Sequence, residues 1–193
     1  MKKVVIEQQK YILEDVFKVE EAYLRYERFN NEMSGTVRRI SLERGDSVAI
    51  LIYNINTNKI ILISQFRYPS HKKGDGWLLE TIAGIIDQDE KPDDAARREI
   101  QEEVGLDVTA LEHIATFYPS PGGSSERIYL YYSEVSRDTS DGAIGGLACE
   151  DENIQAHEIS LEEALEKIKS GEIMDAKTII GIQWLENRQL KKP

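Results

Sequence analysis

Cysteine is nearly absent: the chain carries one, Cys149. A single thiol excludes an internal disulfide and fits a reducing compartment. Histidine is scarce as well, and His71, His113 and His157 show no metal-ligand spacing, so none is given a role. No apolar run is long enough to span a membrane. The first residues, MKKVVIEQQK, start basic but lack the apolar core of a secretory signal. The cytoplasm is the expected location. Positive charge is in deficit, with a net charge of -11 at pH 7. That argues against a nucleic-acid surface, which is usually basic. It does not exclude an anionic substrate, because metal ions can supply positive charge locally. Internal repeats, low-complexity tracts and Pro/Gly/Ser linkers are all missing. What remains is a soluble globular composition, 40% apolar and 31% charged. The 193 residues fit one domain, or one domain with a small extension, and can bury a good core.

Strands dominate the first half. Residues 11–13 and 16–26 read as extended, the second by its β-branched and aromatic content. Residues 36–43 alternate as a strand, and Gly45-Asp46 breaks it. Residues 47–53 form a continuous apolar run, as in a buried strand. A hairpin loop leads to a returning strand at 59–64, which runs on through 65–68. Residues 77–83 read as one strand, followed later by strands at 108–111, 112–118, 127–134 and 153–159, with a loop at 136–146. Ser160 caps a helix over 161–169, with Glu163 completing a capping box and Gly171 ending it. A last helix covers 176–187. The pattern is α/β, a mixed sheet with helices on both faces. Residues 1–44 read as a β extension, and 45–193 as the main domain. Extended segments bury their faces poorly alone, so pairing with a second subunit, a homodimer, is expected.

The densest chemistry lies in residues 84–106, GIIDQDEKPDDAARREIQEEVGL. Pro92 suits a first helical position, because its missing N–H would be unpaired there anyway. Asp93 and Asp94 favour the positive end of the helix dipole, and Gly105 suits a left-handed C-cap. On that helix Glu99, Glu102 and Glu103 share neighbouring turns. Ala96, Ile100 and Val104 form an adjacent apolar stripe. Crowded carboxylates repel. They can line a solvated acidic face, be neutralised by Arg97 and Arg98, or hold hard divalent cations, since Mg2+ takes a few carboxylates together with substrate phosphates.

The whole spacing, Gly84, Glu90, Arg98-Glu99-Ile100, Glu102-Glu103 and Gly105-Leu106, matches position for position the signature G-x5-E-x7-R-E-U-x-E-E-x-G-U, with U aliphatic. In this the chain resembles the Nudix hydrolases. The resemblance implies an α/β/α sandwich with a mixed sheet. It also implies a strand-loop-helix-loop element holding Mg2+ or Mn2+ against a diphosphate, with a nucleoside diphosphate linked to another group as substrate.

Other stretches narrow the likeness. Residues 120–127, SPGGSSER, resemble the S-P-G-G-x-x-E loop of ADP-ribose pyrophosphatases and GDP-mannose hydrolases, and Pro121 stands sixteen residues after Gly105, the ADP-ribose spacing. The bland alternative is a Pro-Gly hairpin turn. Residues 150–154, EDENI, resemble the E-x-E-[DN]-I loop of the same enzymes. Residues 17–39 are closer to the ADP-ribose enzymes, and 170–179 is closer to the GDP-mannose enzymes.

By that resemblance Glu99, Glu103, Glu152 and the carbonyl of Ala83 would hold metal. Glu102 and Arg98 would support them, and Glu150 or Glu152 would act as base. Arg38, Arg39, Arg67, Glu80 and Glu126 would meet the substrate, with Arg39 reaching over from a partner subunit. Phe17, Tyr23 and Phe66 are candidates to stack on a base, against the commoner role of core packing. The products would be AMP and ribose 5-phosphate from ADP-ribose, or GMP and mannose 1-phosphate from GDP-mannose. The competing class is a non-catalytic Nudix-domain sensor. Such proteins typically lose motif glutamates, and this chain keeps them all.

Overall fold

A computed structural model describes residues 2–138, 142, 144–146 and 153–191. The chain divides into two compact units, one of residues 1–46 and 118–127, the other of residues 47–117 and 128–193.

The first unit is a three-stranded antiparallel sheet. Its strands are β1 (Val4–Glu14), β2 (Lys18–Tyr26) and β3 (Val37–Glu43), in that order across the sheet. The first strand starts at Val4, earlier than the residue 11 read from the sequence: Val4, Val5 and Ile6 suit a strand, and the polar Glu7-Gln8-Gln9-Lys10 that follows hides its continuation to Tyr11. The loop 118–127 belongs to this unit and is anchored on β3: Leu42 N donates to the Gly123 carbonyl at 2.8 Å, and Ser124 Oγ donates back to the Leu42 carbonyl at 3.1 Å. Several large apolar side chains of this unit face outward, among them Ile6, Leu13, Val16 and Phe29.

The second unit is built on an eight-stranded mixed sheet. Its strands are β4 (Ser47–Asn54), β5 (Lys59–Phe66), β6 (Trp77–Glu80), β7 (Ile82–Ile85), β8 (Glu112–Phe117), β9 (Ile128–Val135), β10 (Ile144–Gly145) and β11 (Ile154–Ile159). Helix α1 (Tyr68–His71) is a single turn. The longer helices are α2 (Pro92–Val104), α3 (Leu161–Ser170) and α4 (Ala176–Leu190). Alternation along β4 feeds two cores. Val48, Ile50 and Ile52 pack with Ala95, Ala96 and Ile100 of α2, whereas Leu51 packs with Ala164, Ile182 and Leu185 of α3 and α4. Both faces are thus covered, the α/β/α arrangement read from the sequence.

Four local readings are corrected. Residues 77–83 are not one strand but two. β4 and β5 pair only between Ile52–Asn54 and Lys59–Ile61, then part. β6 follows β5 and β7 follows β4, with Thr81 at the crossing. Residues 108–111 form no strand. Their backbone acceptors are taken by side chains instead: Arg97 donates to the Val108 and Thr109 carbonyls, and Ser133 Oγ to the Ala110 carbonyl. The strand read through residue 68 ends at Phe66, and Tyr68 instead opens α1, whose first turn accommodates Pro69. The loop read at 136–146 also holds the short β10.

Candidate active site

The helix caps fall where the sequence puts them. Lys91 is extended just before Pro92, and Gly105 sits at φ 64°, ψ 33°, the left-handed conformation that glycine takes at little cost. The apolar stripe of α2 faces the sheet, and that fixes the rotation of its carboxylates. Glu99 and Glu103 are drawn inward, at 9% and 4% exposure. Glu102, between them on the helix surface, stays half-buried.

Arg98 decides how this cluster is held together. Its Nη1 donates to Glu99 Oε1 at 2.7 Å and to Glu102 Oε2 at 3.0 Å. Its Nε and Nη2 donate to the two oxygens of Glu90, each at 3.0 Å, and Nη2 also reaches the Ile85 carbonyl at 3.0 Å. The carboxylates push the Arg98 guanidinium still further above its ordinary pKa, Glu90 most of all. In return, hydrogen bonding from Arg98 holds the Glu90 carboxyl below the ordinary carboxylate value. Arg97 takes no part in this clasp, since it is spent on the carbonyls after the helix. Of the two arginines offered by the sequence, one neutralises the cluster.

Gly84 lies against the same carboxylates. A Cβ at this position would overlap the carboxyl carbon and both oxygens of Glu99. The peptide joining Ala83 to Gly84 therefore runs beside Glu99. At the C-terminal end of α2, a Cβ on Gly145 would overlap the Glu103 carbonyl, and Gly146 N donates to the Glu102 carbonyl at 3.3 Å. Strand β10 thus rides on the last turn of α2.

The donor set fits a hard divalent cation. Buried carboxylates stand beside a backbone segment kept open by glycine, and one guanidinium is shared among Glu90, Glu99 and Glu102. Among the described residues, no three His, Cys, Asp or Glu side chains form a complete ligand group by themselves. Glu150 and Glu152, expected to complete the site, lie outside the described residues.

The other candidates divide between the units. In the second unit Arg67 precedes α1 and grips Glu80 through Nε and Nη2, each at 3.2 Å. Glu80 is 2% exposed and also receives Lys177 Nζ at 2.8 Å. The sequence reading assigned Lys177 no role, although it lies in the 170–179 run that carried part of the resemblance. Phe66 is exposed and meets Trp77 edge-on. In the first unit Arg38 Nε donates to Glu21 Oε1 at 2.5 Å, and Arg39 Nη1 donates to the Arg38 carbonyl at 2.9 Å. Arg44 Nη1 stands 3.7 Å from Glu126 and its guanidinium lies over Phe17. Arg44 also escaped the sequence reading, because nothing local distinguishes it from a surface arginine.

Comparison with known proteins agrees with this geometry. The model of the NUDIX domain matches residues 43–179. The chain is 39% identical over 163 residues to an ADP-ribose pyrophosphatase of Escherichia coli strain K12, covering 84% of this chain and 78% of that protein. It is 36% identical over 179 residues to the ADP-ribose pyrophosphatase of Haemophilus influenzae, covering 91% and 82%. It is also 40% identical over 153 residues to a GDP-mannose pyrophosphatase of Cronobacter sakazakii, covering 78% of each. The clasped glutamate helix and a family match over most of the chain lead to one assignment: the chain belongs to the Nudix family of hydrolases.

Proposed function

We propose that this protein hydrolyses the diphosphate of a nucleoside diphosphate sugar, with Mg2+ or Mn2+ as cofactor. The supporting observation is the pair of buried carboxylates, Glu99 and Glu103, on a helix whose neighbour Gly84 leaves room for nothing larger than hydrogen. The substrate class comes from relatives of two specificities, ADP-ribose and GDP-mannose, at similar identity. ADP-ribose would yield AMP and ribose 5-phosphate, and GDP-mannose would yield GMP and mannose 1-phosphate.

Glu99, Glu103, the Ala83 carbonyl and Glu152 are the proposed metal ligands. A divalent cation bound there supplies charge neutralisation for the diphosphate and makes water more acidic. Arg98 holds Glu99 and Glu102 in place from one side. Glu150 or Glu152 accepts the proton as water attacks one phosphorus and its bond to the bridging oxygen breaks, so that the other phosphate leaves as the second phosphomonoester. Arg67, steadied by Glu80, is proposed to hold a phosphate oxygen, for which a guanidinium fork is well suited. Arg38, Arg39 and Glu126 are proposed as substrate contacts on the resemblance alone. Residues 1–44 are proposed as a dimerising extension and 45–193 as the hydrolase domain. The outward apolar side chains of the first sheet support a homodimer. Among the described residues no helix is long and apolar enough to cross a membrane. A cytoplasmic location is proposed from the single cysteine, which fits a reducing compartment.

The test is phosphate release coupled to alkaline phosphatase, with Mg2+, across ADP-ribose, GDP-mannose, ADP-glucose and diadenosine polyphosphates. Strong preference for a sugar nucleotide is the expected result. Tight binding of one without turnover of any would replace this reading with that of a sensor.

A further inference from the structure

Thr81 lies where the chain crosses from the edge of β5 to the edge of β4, between β6 and β7. At such a break the ladder supplies no partner for its backbone N–H, and the residue is 0% exposed, so water cannot supply one either. The partner comes from far along the chain. Thr81 N donates to Thr178 Oγ1 at 2.8 Å, and Thr178 is also 0% exposed. The direction of that bond is fixed. The Thr178 hydroxyl gives its own proton to Asp175 Oδ2 at 2.6 Å, which leaves a lone pair for Thr81. Asp175 is in turn the N-cap of α4, accepting from Thr178 N at 3.0 Å. The Thr81 hydroxyl donates to the Ile50 carbonyl on β4. Glu80, the preceding residue, is tied to Lys177. The first turn of α4 is thus a post to which the crossing is bound, and the chain leaves it directly for Ala83 and Gly84.

We infer that Thr178 is a positioning residue for the metal site: by holding the Thr81 N–H it sets where β7 begins, and so where the Ala83 carbonyl and Gly84 stand relative to Glu99. This rests on the metal-dependent reading above. Its influence runs through the strand break at Thr81.

The test uses the full chain with Thr178→Val, which keeps the shape and removes the hydroxyl, and Thr178→Ser, which restores it. Mn2+ alone is titrated by calorimetry, and turnover is followed as a function of Mg2+. Thr178→Val should weaken Mn2+ binding about tenfold and raise the Mg2+ needed for half-maximal turnover by a similar factor, the usual cost of losing a group that orients a ligand. Thr178→Ser should stay within about twofold of wild type, since its hydroxyl offers the same two bonds. A role in stability alone would lower the melting temperature of Thr178→Val and leave Mn2+ affinity of the folded protein unchanged, and that result overturns the inference. Should Thr178→Val not fold, Thr178→Ala must bind Mn2+ more weakly than Thr178→Ser, and equal affinities overturn it. Wild type that turns over substrate keeps the functional reading in either case. Wild type that neither binds Mn2+ nor turns over a sugar nucleotide removes both.

Discussion

Gly84 stands so close to Glu99 that a methyl group on its Cα would occupy the space of the Glu99 carboxyl. The glycine opening the motif is therefore required by the side chain fifteen residues later, not by its own backbone angles. In Gly84→Ala the flexible end of Glu99 yields first. Turnover should fall roughly a hundredfold, the scale of a misplacement of about 1 Å, while the cooperative unfolding transition is kept. Kinetics and thermal melting on the same sample check this. Full activity would mean that Glu99 need not sit where the structure has it.

Arg98 serves three carboxylates with one fork, and lysine cannot copy that geometry. Arg98→Lys keeps the charge but loses the shared bonds. Mg2+ should be needed at about tenfold higher concentration, as when an orienting partner of a ligand is lost. An unchanged Mg2+ dependence would reduce the clasp to a surface ion pair.

Gly145 meets backbone rather than side chain, since its Cβ would overlap the Glu103 carbonyl. The last turn of α2 cannot yield as a carboxylate can. Gly145→Ala should therefore cost stability, about 1–3 kcal/mol as for other overpacked contacts, measured by urea unfolding. Gly84→Ala and Gly145→Ala should separate in kind, the first mainly in turnover and the second in stability as well.

The Glu90–Arg98 contact carries a pH signature. Hydrogen bonding from Arg98, aided by the Asp87 backbone N–H, holds Glu90 below its ordinary value of 4.5. A carboxyl whose pKa falls on folding stabilises the fold above its unfolded pKa. That contribution fades as pH drops through the lowered folded value. Urea unfolding of wild type and Glu90→Gln should differ at pH 7, and the difference should shrink as pH falls below about 4.5. A deficit independent of pH would show that Glu90 acts through shape alone.

The motif helix was legible because every signal for it is local: Pro92, the apolar stripe and Gly105 fall within one segment. The α/β/α layering followed from the continuous apolar run of residues 47–53, which suits a strand buried on both faces, and from the helices read after it. The choice of Arg98 over Arg97 came from the resemblance and not from the residues by themselves. Both occupy the same helix turn, and what separates them is the position of the Val108 and Thr109 carbonyls on one side and Glu90 on the other. The break at Thr81 was equally hidden, because Glu80, Thr81 and Ile82 all suit a strand and the group that resolves the break, Thr178, lies ninety-seven residues away. The strand read at 108–111 failed for the same reason: side chains from Arg97 and Ser133 reach its carbonyls before another strand can. Glu150 and Glu152 were named from resemblance and lie outside the described residues, so the base rests on that resemblance.

The most direct measurement is turnover of ADP-ribose and GDP-mannose as a function of Mg2+, for wild type and Glu103→Gln side by side. The account predicts Mg2+-dependent turnover by wild type, abolished by chelation, and a loss of orders of magnitude in Glu103→Gln with an unchanged unfolding transition. Near-normal turnover by Glu103→Gln, with the same Mg2+ dependence, would contradict the assignment of this helix as the metal site.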